Sequence, residues 1–80
     1  MNITVEISYY PLKDKANEAI SLFLQKLENI KDFDYTIQTM STLLVGDYNE
    51  IMTFLTKNIF SIMEQFPSVF VLKISNACPV

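Results

Sequence analysis

Two short stretches hold the side chains able to do chemistry. Glu6-Ile7-Ser8-Tyr9 offers a carboxylate, a hydroxyl and a phenol, and Gln38-Thr39-Met40-Ser41-Thr42 offers an amide, three hydroxyls and a thioether. A carboxylate accepts hydrogen bonds and balances positive charge. Hydroxyls and a primary amide both donate and accept, and a tyrosine ring stacks on planar groups. This is binding chemistry rather than bond-breaking chemistry. Ser41 and Thr42 have no histidine to activate them, because the chain contains none. Phosphate cradles need clustered glycines, and Gly46 is the only glycine. Asp47 reads as a helix cap rather than an acid catalyst. The expectation is a protein without catalytic residues, not an enzyme.

Composition narrows the ligand further. The 80-residue chain carries a net charge of -3, and all six of its cations are lysine. Without arginine, a bidentate guanidinium clamp on phosphate or carboxylate cannot form. Without histidine, imidazole catalysis and His-ligated metals are excluded, so no metal or cofactor is expected. Nothing supplies a basic stripe for nucleic acid. Cys78 is the single cysteine, which rules out an intrachain disulfide and suits a reducing compartment. Met1 leads straight into an alternating strand rather than a signal peptide, and no apolar run approaches membrane-spanning length. A cytoplasmic protein with no membrane partner is expected.

The elements that must position these side chains follow from periodicity. Residues 2–9 alternate, with Ile3, Val5 and Ile7 to one side and Thr4, Glu6 and Ser8 to the other, as in a strand with one buried face. Tyr10-Pro11 ends it. Over 13–31, Ala19, Phe23, Leu27 and Ile30 recur at three- and four-residue spacing, which predicts a helix, with Asp14 as its cap. Strands are predicted over 35–40 and 42–45, joined at Met40-Ser41. The turn lacks an Asn-Gly signal, so its type stays open. Gly46-Asp47 opens a second helix, with Glu50 as the reciprocal capping-box partner and Ile51, Leu55, Ile59 and Ile62 in its stripe. Pro67 stops that helix, a strand follows over 68–74, and 76–80 is a loose tail.

The order β-α-β-β-α-β predicts an α+β, ferredoxin-like single domain. It has a four-stranded antiparallel sheet with two helices on one face. The uncovered face then holds Thr4, Glu6, Ser8, Thr36, Gln38 and Met40, with Val69, Val71 and Lys73 from the last strand. It is too apolar for a purely solvated face and too polar for a dry one. A homo-oligomer interface beside a small polar pocket fits that mixture. Blander roles compete: Glu6 and Lys73 as an exposed cross-strand pair of little energy, Met40 as filler, Tyr9 as packing, Ser41 and Thr42 as local turn bonds.

Glu6-Ile7-Ser8-Tyr9-Tyr10-Pro11-Leu12, followed by Met40-Ser41-Thr42-Leu43-Leu44-Val45-Gly46-Asp47, resembles the YkoF-like thiamine/hydroxymethylpyrimidine-binding proteins. The resemblance implies a non-catalytic binder of thiamine or its pyrimidine moiety. It also implies assembly as a dimer or tetramer through open sheet faces and strand edges. The candidate ligand residues are Glu6, Ser8, Tyr9, Gln38, Met40, Ser41 and Thr42. Hydroxyls and the Gln38 amide suit an aminopyrimidine, and Glu6 suits its exocyclic amine or the thiazolium charge of thiamine. The alternative is an ACT-like regulatory or oligomeric interaction module without a thiamine site.

Overall fold

The computed structural model describes residues 1–77; Cys78 and the end of the expected tail lie outside the described residues. The elements are β1 (Asn2–Pro11), α1 (Ala16–Glu28), β2 (Asp34–Ile37), β3 (Thr42–Asp47), α2 (Tyr48–Gln65) and β4 (Ser68–Ser75). They form one antiparallel sheet in the order β2-β3-β1-β4. β1 and β2 both run antiparallel to β3, and β3 and β4 are likewise parallel with β1 between them. Two crossovers, each carrying one helix, are the only way to make those connections, and this is the ferredoxin-like plan.

β1 is the central strand, and its alternation sets the layers. Ile3, Val5 and Ile7 are essentially inaccessible to solvent. They pack with Leu44 of β3, with Phe23 and Leu27 of α1, and with Ile51, Leu55 and Ile62 of α2. The spacing of four between Ala19, Phe23 and Leu27 aligns one face of α1 with the sheet, and Ile51 and Leu55 do the same for α2. Each fully buried aliphatic side chain contributes about 1.5–3 kcal/mol relative to exposure.

Several boundaries differ from the sequence expectation, and β1 continues through Tyr10 and Pro11, paired with Val69 and Ser68 of β4, instead of ending at Tyr9. α1 is shorter at both ends, and its N-cap is Lys15, with no side-chain cap bond, rather than Asp14. Lys13 adopts a left-handed φ of 64° just before the helix. The chain therefore reverses direction there, and Asp14 lies within the reversal rather than at the helix start. β2 stops at Ile37, because residues beyond it turn into the hairpin loop. β3 runs on through Gly46 to Asp47 and passes into α2 without a loop. Asp47 is the α2 cap, as expected, and accepts the Asn49 N–H at 3.0 Å.

Gly46 is explained by close approach rather than by turning. It lies opposite Ile3 on the helix-covered face. A Cβ placed on it would run into the Cβ of Phe33. Phe33 comes from the connector after α1 and meets Phe54 of α2 edge to face, with ring centroids 5.6 Å apart.

Candidate functional site

Directly opposed residues in an antiparallel sheet share a face, so the register sorts the candidate residues. Glu6 lies opposite Leu43 of β3 and Lys73 of β4, and Ser8 lies opposite Val71. All five belong to the face that the helices leave open. Thr42 lies opposite Ile7 and Ile37, on the helix side, and is only 5% exposed. Tyr9 is on the helix side too, opposite Phe70.

The hairpin loop joins the two sides. The Gln38 N–H donates to the Ser41 carbonyl at 2.8 Å, which leaves Thr39 and Met40 as a two-residue tip. Neither has a positive φ, since Lys13 alone does among the described non-glycine residues. The tip is therefore not one of the primed turns that match strand twist best. Pairing between β2 and β3 is correspondingly short. Met40, at the tip, is 85% exposed and free to pack on something outside the domain.

On the open side, the hairpin places polar groups around Glu6. The Ser41 hydroxyl lies 3.2 Å from Glu6 Oε2 and also 3.2 Å from Gln38 Oε1. Its single proton can serve one of them at a time. Lys73 Nζ stands 3.6 Å from Glu6 Oε1. Both carboxylate oxygens are thus engaged, one by a hydroxyl and one by an ammonium. The Glu6 side chain is 37% exposed and that of Lys73 79%, so solvent screens the ion pair.

On the helix side, a cleft of about 220 Å³ opens between the hairpin loop and α1. Ile7, Tyr9, Ile20 and Phe23 form its apolar walls, and residues 38–42 form its polar rim. Tyr9 stacks on Phe70 with centroids 4.4 Å apart and planes 2° from parallel, and it meets Phe23 edge to face at 5.3 Å. One face of its ring is taken, and its hydroxyl is 3.0 Å from the Ser68 hydroxyl. The expected single pocket on the sheet face is therefore two adjoining surfaces. Glu6 and Ser8 belong to the open side, Tyr9 and Thr42 to the cleft, and Gln38 and Ser41 border both.

Sequence reasoning passed over Ile20 and Phe23 as cleft walls, because the helical stripe assigns them to the core; the cross-strand pairing of Lys73 with Glu6 is as expected. A groove of about 340 Å³ lies elsewhere, beside the C-terminus of α1, and mixes Lys26, Lys31 and Lys57 with Asp32 and Glu50. None of the candidate residues lines it. The candidate residues gather at the hairpin end, where carboxylate, hydroxyls, amide and aromatic walls converge. Among the described residues, no cluster of three or more His, Cys, Asp or Glu side chains is placed to hold a metal, and no helix is long and apolar enough to cross a membrane.

No family model matches the sequence, and no curated protein matches it. Solved structures do share the fold. A protein from Thermotoga maritima provisionally assigned to thiamine biosynthesis or salvage superposes with a TM-score of 0.80 at 22% identity, over 94% of this chain and 83% of its own. A protein from Streptococcus pneumoniae reaches 0.87 at 16% identity, over 99% of this chain and 90% of its own. A domain of unknown function from Bacillus cereus gives 0.78 at 12% identity, over 100% of this chain and 80% of its own. At these identities the likeness is one of fold. The ferredoxin-like fold expected from the sequence is thus shared with these solved structures.

Proposed function

We propose that this chain is a non-catalytic, cytoplasmic small-molecule binding protein for thiamine or its hydroxymethylpyrimidine moiety, working as a homo-oligomer. The observation that supports the reading is the Ser41 hydroxyl held 3.2 Å from both Glu6 and Gln38, at the mouth of a cleft walled by Tyr9 and Phe23. An aminopyrimidine has a donor amine and acceptor ring nitrogens at fixed spacing. A carboxylate, a hydroxyl and an amide within hydrogen-bond reach of one another can read that pattern. The cleft's apolar walls suit a flat ring, and Met40 at the loop tip can fold onto it. The acidic balance and the absence of arginine favour the cationic vitamin over its pyrophosphate.

Calorimetric titration with thiamine and with hydroxymethylpyrimidine tests the reading. Saturable heat is expected, and Glu6→Ala, Ser41→Ala and Thr42→Ala each weaken it. Absence of both heat and thermal shift at millimolar ligand would sink the proposal.

A second reading, an ACT-like interaction module with no thiamine site, is favoured by one feature. Val45, Val69 and Val71 expose apolar surface on the open sheet face. A stable complex with another protein at that face, without any small-molecule response, would select it.

A further inference from the structure

The open face gives Glu6 an internal cation. Lys73 is directly opposite Glu6 in the β1–β4 register, and its ammonium lies 3.6 Å from Glu6 Oε1. On the other oxygen sits the Ser41 hydroxyl at 3.2 Å. A cationic ligand that approaches Glu6 meets a carboxylate that already has a cation. Lys73 is mostly exposed on the edge strand, so it can swing into solvent at small cost, and its four-carbon stem can follow Val71 and the rest of β4.

We propose that Lys73 is a specificity-determining residue: its ammonium occupies the ligand-cation position on Glu6 in the empty protein and must be displaced by a positively charged ligand. The inference rests on the reading of Glu6 as a ligand group. The pair is then a competitor built into the site rather than a source of stability. Displacement costs a cationic ligand the strength of an exposed ion pair, while a neutral ligand that hydrogen-bonds Glu6 Oε2, Ser41 and Gln38 leaves the ammonium on Oε1 in place. Lys73 thereby narrows the preference of an acidic protein for any passing cation, because only a ligand with further contacts in the cleft can replace it.

The test is calorimetry of wild type, Lys73→Gln, Glu6→Gln and the double variant against thiamine, which is cationic, and hydroxymethylpyrimidine, which is neutral. Lys73→Gln should tighten thiamine by about two- to fivefold, the range of an exposed pair. It should leave hydroxymethylpyrimidine unchanged. In the Glu6→Gln background the gain should vanish, since no charge remains to compete for. Lys57→Gln, which removes an equal charge from the helix layer, controls for the general field and should change thiamine binding little. Three patterns of gain overturn the inference. One is an equal gain for both ligands, another a gain that survives Glu6→Gln, and the third a Lys57→Gln gain as large as that of Lys73→Gln. Thiamine binding untouched by Lys73→Gln defeats it while leaving the ligand reading standing. Absence of binding by either ligand to every variant defeats both.

Discussion

A single methyl group at Gly46 tests how tightly the connector after α1 is seated. In a strand, alanine in place of glycine gains about 0.4–1 kcal/mol, because the unfolded chain loses freedom. Here the added Cβ meets the Cβ of Phe33, an atom tied to the backbone and not the yielding end of a long side chain. Overpacking of this kind costs about 1–3 kcal/mol, which exceeds the gain. Gly46→Ala should therefore lower the urea midpoint without changing the slope. In a Phe33→Gly background, where the opposing Cβ is gone, the same substitution should become neutral or stabilising; equal losses in both backgrounds would refute the contact. The site has a similar sensitivity to single positions. Ser41 and Thr42 are neighbours in sequence, yet one reaches Glu6 on the open face and the other is buried beside Ile7. Composition and spacing marked both residues as binding chemistry. Only the β1–β3 register separates them, and register follows from long-range pairing that no local stretch encodes.

Elements were more legible than faces of the site. Ile3, Val5 and Ile7 announce β1 because a period of two has no other structural meaning over that length. The helical stripes are as plain, since Phe23, Leu27 and Ile30 recur at four and then three residues, and a spacing of three would put side chains on opposite faces of a strand. Helix ends are less well marked. Asp14 has the chemistry of a cap, but the left-handed turn at Lys13 moves the first helical residue beyond it. Asp47 has the same chemistry and does cap α2, because β3 delivers it in an extended conformation, with φ −69° and ψ 138°, straight into the first turn. Its carboxylate accepts the Asn49 N–H at 3.0 Å, so Asp47→Ala should cost about 1 kcal/mol. In a domain of this size that lowers Tm by about 4–8 °C. Asp47→Asn, which still caps, should stay close to wild type. A fall as large in the asparagine variant would mean that charge at the helix N-terminus, rather than the hydrogen bond, carries the effect.

The distribution of apolar surface over the molecule leads to its assembly. A chain of 80 residues buries only about 60% of the surface its unfolded form exposes, and this one spreads its remaining apolar side chains unevenly. On the open face, Val69 and Val71 are 44% and 46% exposed, side by side on β4. β4 is an edge strand whose other face leaves Leu72 and Ile74 part-exposed as well, so surplus apolar area gathers around one border of the sheet. Under the proposed function that border is the subunit interface, and the Glu6 cluster lies next to it. Sedimentation at micromolar concentration should then give a dimer or tetramer. Val69→Lys with Val71→Lys should shift it to monomer while the circular dichroism of the fold persists, because neither side chain belongs to the core. Ligand binding should follow the same equilibrium. Ser8 lies opposite Val71, so a subunit docked there would wall the polar cluster from water and strengthen its hydrogen bonds. Affinity for thiamine should accordingly fall on dilution through the dissociation range, and added thiamine should in turn favour the oligomer. A wild-type chain that stays strictly monomeric, or a double-lysine monomer that binds thiamine as tightly as wild type, would separate the site from the interface and remove this link.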